Sequence, residues 1–495
     1  MISKVVVVGG GSAGFIAAAT LKLKLPALQV RLIRSKDIGI IGVGEGSTFQ
    51  LTTFLHDYLR INPKKFFDLA RPTFKLGLRF IWGRRPYFNY TFGPGPHETN
   101  VPGLAKSYGF YANADLEDCE LYSSLMTADR AFEQVGGRPK FHTAMAYHFE
   151  NEKFVRFLEE YATGLGVEVV DDTIVQVNQD EAGISGLVLK SGALGTADLY
   201  VDCSGFASVL LGKALSEPFI DFKSSLFCNR AMVGGWERTS EVIKPYTTCE
   251  TMPSGWCWQI EHESRINRGY VYSSDFISDE EVERQFRAAN PKVGPTRIVR
   301  FVTGRYERRW VKNVVAVGNA SGFVEPLEAT ALGLLALQSR HLAQTLLECD
   351  RQPTTTQIAA NNVAHAQSWD DIRRFIAIHY KYNDRLDTPF WRACRETTDL
   401  AGAEPIVEYY RENGPAPYWA EMLFDRNDQF GYAGYTALLL GQRVPFRKAP
   451  APTDGERQIW ERHRARNRAA AAAALSVREA LDQIHSPNWK WQSRA

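Results

Sequence analysis

The 495-residue sequence predicts an α/β fold with antiparallel insertions and a mainly helical C-terminal part, on three observations. Residues 2–8 (Ile-Ser-Lys-Val-Val-Val-Val) form an apolar, β-branched run that reads as a buried parallel strand. That run passes through Gly9-Gly10-Gly11-Ser12-Ala13-Gly14 into a helical stretch at 15–24 and a second strand at 30–33. From about residue 356 onward the strand signals cease and helical, irregular sequence takes over. The expected division is therefore a 1–355 module with insertions and a 356–495 helical capping region.

Composition bounds the function. A hydrophobic content of 44% supports a large core, and a net charge of +2 gives no electrostatic case for nucleic acid or an anionic membrane. The seven cysteines (Cys119, Cys203, Cys228, Cys249, Cys257, Cys349 and Cys394) are odd in number and lack metal-ligand spacing. Reduced thiols in a cytoplasmic protein without a metal are expected. Glycines 9, 10, 11 and 14 break the N-terminal apolar run, unlike a signal peptide, and no stretch is long and apolar enough to span a bilayer.

Further along, residues 37–48 carry too many glycines for a helix and read as a connecting strap. A helix is expected at 151–165, then short strands across 167–202 with turns at Glu181-Ala182-Gly183 and Ser191-Gly192. The alternation of 254–275 predicts a hairpin turning at Asn267-Arg268-Gly269. A buried strand at 314–317 precedes a long helix expected to start at Pro326, and a surface helix is expected at 466–482.

Gly9-x-Gly11-x-x-Gly14 stands between a strand and a helix, the context that gives the fingerprint its meaning. The first glycine allows a tight turn, the second lets a pyrophosphate approach the backbone, and the third lets helix and strand pack closely. The helix N-terminus, at Ser12 and Ala13, then faces the phosphates. The acid that usually ends the second strand is missing; Arg34 follows Ile33. It suits a 2′-phosphate, and equally a packing role over adenine. Two further strand-to-glycine turns, at Asp202-Cys203-Ser204-Gly205 and Val317-Gly318-Asn319, occur in the order found in FAD proteins of the GR2-type, Rossmann-like fold. Three such turns favour FAD over a nicotinamide.

Gly255-Trp256-Cys257-Trp258-Gln259-Ile260 resembles the W-x-W-x-I motif of the flavin-dependent tryptophan halogenases, with Glu261 where that family usually has Pro. Positions i and i+2 of a strand share a face, so Trp256 and Trp258 stand side by side. In the family this wall separates the organic substrate from the flavin, so that halide is oxidised there instead. Residues 72–80 are similar to the segment holding the family's lysine, here Lys75, which presents hypohalous acid through a hydrogen bond or as a haloamine. Residues 322–332 resemble the E-P-L-E-S-T-G stretch; Glu328 matches the acid that accepts the departing ring proton, and Thr330 and Ala331 fall at the halide site. Ala329 and Ala331 replace the usual Ser and Gly. The strap Gly42-Val43-Gly44-Glu45-Gly46-Ser47-Thr48 is similar to the family's G-V-G-E-A-T, which links flavin and substrate sites.

The substrate end departs from the tryptophan-specific members. His379-Tyr380 stands for their Tyr pair, Phe390-Trp391 keeps their aromatic pair, and Leu386 falls where a Glu grips the substrate ammonium. Tyr90 stands where a His is usual, and Phe92 is retained. An apolar residue cannot pair with a charged α-amine, so a neutral electron-rich arene such as indole or a phenol is expected. The resemblance implies reduced FAD, chloride or bromide, and a separate NAD(P)H-dependent flavin reductase; a homodimer is a further expectation. The competing readings are a single-component flavin monooxygenase, which the tryptophan wall disfavours, and a non-enzymatic flavin redox sensor.

Overall fold

The apolar run that opens the chain becomes the middle of a parallel sheet. In this computed structural model, which describes residues 1–39, 44–93, 101–104, 116–142, 144–424, 428–447 and 451–491, strand Lys4–Val8 pairs with Gln29–Arg34 on one side and Leu199–Asp202 on the other. Glu168–Asp171 extends one edge, Val314–Ala316 the other, and Trp310–Val311 closes that edge antiparallel. Val5, Val6 and Val7 are wholly buried, as a strand covered on both faces requires. Helix Ser12–Lys24 packs on helices Asn151–Gly164 and Ala331–Glu348.

The chain divides into two compact units, each made of three segments. The first comprises residues 1–71, 149–222 and 301–370, and the second 72–148, 223–300 and 371–495. A single boundary at 355/356 does not reproduce them. Helix Thr355–Tyr382 begins in the first unit and continues in the second. The insertions that sequence assigns to the N-terminal module gather with the C-terminal helices because their apolar faces pack together. The second unit is built on a seven-stranded sheet in the order Arg297–Arg300, Arg230–Glu237, Arg265–Tyr272, Gly255–Glu261, Tyr246–Met252, Gly77–Ile81 and Phe88–Thr91. All its pairs are antiparallel except Tyr246–Met252 with Gly77–Ile81.

Three local expectations are corrected. The hairpin turns at residues 262–264, and Gly269 lies inside strand Arg265–Tyr272, opposite Trp258. A Cβ there would come within 1.9 Å of the Trp258 indole, so this glycine makes room for a ring rather than a turn. The helix expected from Pro326 is only a 3₁₀ turn over Pro326–Glu328; Ala329 is left-handed (φ 55°), and the long helix starts at Ala331. Near the C-terminus two helices, Asp454–Ala472 and Val477–Ile484, replace one, because Ser476 caps the second with its own capping box. All seven cysteines are free thiols. No helix of the described residues is long and apolar enough to cross a membrane.

Candidate active site

In the first unit the glycine loop is made by backbone contact. A Cβ on Gly9 would meet the Cys203 carbonyl at 2.2 Å, and one on Gly14 the Gly9 carbonyl at 1.9 Å. Gly11 differs, since a Cβ there would meet nothing within 4 Å. It N-caps helix Ser12–Lys24 without a side-chain cap, leaving an open cradle where the amides of Ser12, Ala13 and Gly14 begin the helix. Gly318 (φ 65°) brings the other nucleotide motif to this loop: a Cβ on it would lie 3.1 Å from that of Ala13. Asn319 follows on the 3₁₀ turn Gly318–Ala320. The middle motif does different work. Buried Asp202 accepts hydrogen bonds from the amides of Ser204, Leu210 and Leu211, and so anchors its own turn.

Arg34 lays its stem over Gly10 and pairs with Glu159 at 2.6 Å. That carboxylate already neutralises the guanidinium charge that a 2′-phosphate would need. An open cradle, a helix N-terminus and close-packed glycines fit the pyrophosphate of FAD.

The strap and the candidate base share this unit. Gly42 and Val43 lie outside the described residues, whereas Gly44 (φ 75°) and Glu45 are defined. The Asn151 amide donates to the Glu45 carboxylate, whose proton affinity burial nevertheless pushes up to about 7. Thr48, at the end of the strap, approaches Gly333: a Cβ there would lie 3.0 Å from the Thr48 hydroxyl. Glu328 is buried on its 3₁₀ turn, Thr330 precedes the long helix, and Ala331 is exposed at its first position. Glu328 is thus not the first-turn helix acid that a start at Pro326 implies.

In the second unit Lys75 is wholly buried at the end of strand Thr73–Lys75, its Nζ 5.2 Å from the centre of the Phe92 ring. The Thr73 hydroxyl donates to the Glu261 carbonyl, and His148 binds the Thr247 hydroxyl at 2.8 Å. Burial first, then the charges of Lys75, His262 and Arg238, hold His148 well below the usual histidine range, so it stays neutral beside the lysine. The departure from the W-x-W-x-I-P pattern gains a reason here. Glu261 is wholly buried, ion-paired to Arg238 at 2.5 Å, and accepts from Gln259 at 2.6 Å.

Trp256 and Trp258 share one face of strand Gly255–Glu261, with ring centres 6.0 Å apart. The second indole rests over the backbone of Gly269. Tyr90 faces Phe375 at 5.8 Å, and both Tyr90 and Phe92 keep part of their surface accessible.

The residues from 379 onward sit deeper than a substrate-contact role implies. His379, Tyr380, Phe390 and Trp391 are at most 1% exposed. Trp82 donates its indole N–H to the His379 carbonyl (2.9 Å), Trp391 donates to the Met252 carbonyl (2.7 Å), and Tyr380 stacks on Trp391. They form a packed aromatic wall with no open face of their own. Leu386, partly exposed in the loop between helices Thr355–Tyr382 and Pro389–Thr397, has acids on either side that are already engaged. Asp384 pairs with Arg84, and Asp387 with Arg392 and Arg395.

Sequence reasoning missed the supporting groups: Glu159 for Arg34, Asn151 for Glu45, Arg238 for Glu261, and Gln338, which accepts from the Gly318 amide at 2.8 Å. Each partner is far away in sequence, and no spacing rule links it to its motif.

An α/β dinucleotide-binding unit of this kind, joined in one chain to a second unit carrying paired tryptophans on one strand and a buried lysine on another, defines a flavin-dependent oxidoreductase. The family model for tryptophan halogenase matches residues 4–454. Tryptophan 7-halogenase RebH of Lentzea aerocolonigenes is 30% identical over 98% of this chain and 99% of its own. Among solved structures, MibH, a lanthipeptide tryptophan 5-halogenase, is 38% identical with a TM-score of 0.89, covering 98% of this chain and 94% of its own. Xcc4156, a flavin-dependent halogenase from Xanthomonas campestris, is 29% identical with a TM-score of 0.87, covering 98% of each chain. The chain belongs to the tryptophan halogenase family of flavin-dependent halogenases. It is an FADH2-dependent halogenase with chloride or bromide as co-substrate. Enzymes of this kind generally take their reduced FAD from a separate reductase and act on an aromatic substrate. Bound FAD, once reduced, supplies the electrons with which dioxygen oxidises the halide.

Proposed function

We propose that this halogenase acts on an indole or similar electron-rich arene presented without the charged ends of a free amino acid. The observation that carries the reading is Leu386, in a loop whose acids Asp384 and Asp387 are committed to arginines. An α-ammonium desolvated against the Leu386 side chain would gain no charge partner from it, at a cost on the order of several kcal/mol. A tryptophan side chain within a peptide satisfies the same condition as indole does, since both its ends are amides. The likeness to a lanthipeptide tryptophan halogenase supports including it.

In this reading Lys75 directs hypohalous acid onto the ring and Glu328 accepts the proton that leaves it. The paired Trp256 and Trp258 keep arene and flavin apart. Tyr90 and Phe92 flank the arene, and the wall of His379, Tyr380, Phe390 and Trp391 backs them. Thr330 and Ala331, at a helix N-terminus, suit a halide. Seven free cysteines support a cytoplasmic setting. The test is a panel of indole, phenol, tryptophan and a tryptophan-containing peptide, supplied with reductase, FAD and bromide. Bromine isotope pairs on indole or the peptide at rates above free tryptophan are expected; hydroxylated products without bromine would overturn the reading.

A further inference from the structure

Gln338 is a buried polar side chain, 2% exposed, about two turns into the helix that begins at Ala331. Its Oε1 accepts from the Gly318 amide at 2.8 Å, and its Nε2 donates to the Ser321 hydroxyl at 3.0 Å. Ser321 in turn donates to the Gly318 carbonyl at 2.8 Å. Both backbone polar groups of Gly318 are thereby held by side chains, in a turn whose left-handed glycine sits against Ala13 of the glycine loop. The helix itself is fixed from behind, because buried Arg309 donates to the Gln338 carbonyl at 3.2 Å and to Asn361 at 2.7 Å.

We infer that Gln338 is a positioning residue for the cofactor: it locks the Gly318–Asn319 turn in the conformation that receives FAD. It also ties that turn to the helix whose first turn follows Glu328 and Thr330. This rests on the reading that Gly11 and Gly318–Asn319 contact FAD. An amide side chain suits the task because it accepts and donates at once, from a position where helix packing has already fixed its rotamer. Without it the Gly318 amide would be buried with no acceptor, and the turn would relax toward any geometry that pairs it.

The experiment measures FAD affinity by flavin fluorescence quenching for the wild type, Gln338→Met, Ser321→Ala and Gly11→Ala, with the Tm of each apo-protein. Gln338→Met keeps the volume and removes both hydrogen bonds. Its FAD Kd is expected to rise about tenfold, equivalent to about 1.4 kcal/mol. Ser321→Ala should weaken FAD in the same direction, by a smaller factor. Excess FAD should restore halogenation by both variants, with the KM for the arene unchanged. A Kd for Gln338→Met within about twofold of wild type, equivalent to about 0.4 kcal/mol, overturns the inference if Gly11→Ala has lost FAD. If Gly11→Ala binds FAD normally, the underlying reading of the cofactor site fails instead. Should Gln338→Met not fold, Ser321→Ala decides alone, and an unaltered FAD Kd there counts against the proposal.

Discussion

The two units are assembled by different physics. The first closes its glycine loop by backbone against backbone, at Gly9 on Cys203 and Gly14 on Gly9, with Gly318 close against the Ala13 methyl. The second relies on side chains: indole beside indole at Trp256 and Trp258, a lysine beside Phe92, and an aromatic wall around Trp82 and Trp391. A backbone contact tolerates almost no substitution and leaves a spacing in the sequence. A side-chain wall tolerates exchange of its members, and that freedom is where substrate choice can change while the chemistry stays. The proposed exchange of an ammonium-gripping acid for Leu386, with Lys75 kept, would be an instance.

The sharpest way to break this comparison is Lys75→Ala. Loss of a catalytic proton or hydrogen-bond donor should lower arene bromination by about 10²–10⁴-fold. FAD affinity, a property of the other unit, should be unchanged when titrated. Glu328→Gln should fall in the same range, read by the same assay. Arg238→Met tests the packed side of the second unit, since it strands the buried Glu261 carboxylate. Denaturant melts should register a loss of about 3–5 kcal/mol. Gly269→Ala forces a methyl into the Trp258 indole and should cost about 1–3 kcal/mol in the same melts. That result would show that backbone intimacy also matters in the second unit at one point.

A subtler effect concerns Glu120, which accepts from the amides of Tyr122 and Ser123 at 2.7 and 2.6 Å. Burial raises its carboxyl from 4.5 to about 7. The folded chain therefore keeps a proton that the unfolded chain releases between these values. The stability it lends is complete below pH 4.5 and is lost as pH rises through about 7. Glu120→Gln should flatten that decline in urea midpoints measured from pH 4.5 to 8. A slope unchanged from wild type would mean the burial argument is wrong.

Legibility in the sequence followed the same divide. The parallel strand, the glycine loop and the order of three strand-end turns were readable because sterics ties each glycine to a local geometry. Trp256 and Trp258 were readable as a same-face pair from strand periodicity alone. No turn forms at Asn267-Arg268-Gly269, because a glycine required by a cross-strand indole looks the same in sequence as one required by a bend. Pro326 misled for a related reason: it opens a helical turn, yet left-handed Ala329 ends that turn before the long helix begins. The interleaved units, and the burial of His379 and Tyr380, depend on contacts between segments hundreds of residues apart. No local pattern records them.

In the proposed reading Lys75 and Glu328 carry out halogenation while nothing at Leu386 grips a free amino acid. This is tested most directly by competition between indole and L-tryptophan at equal concentration, with reduced FAD and bromide, read by mass spectrometry. Brominated indole should dominate, and Leu386→Glu should shift the ratio toward tryptophan by roughly tenfold, about 1.4 kcal/mol. A wild-type enzyme that brominates tryptophan in preference to indole would contradict it.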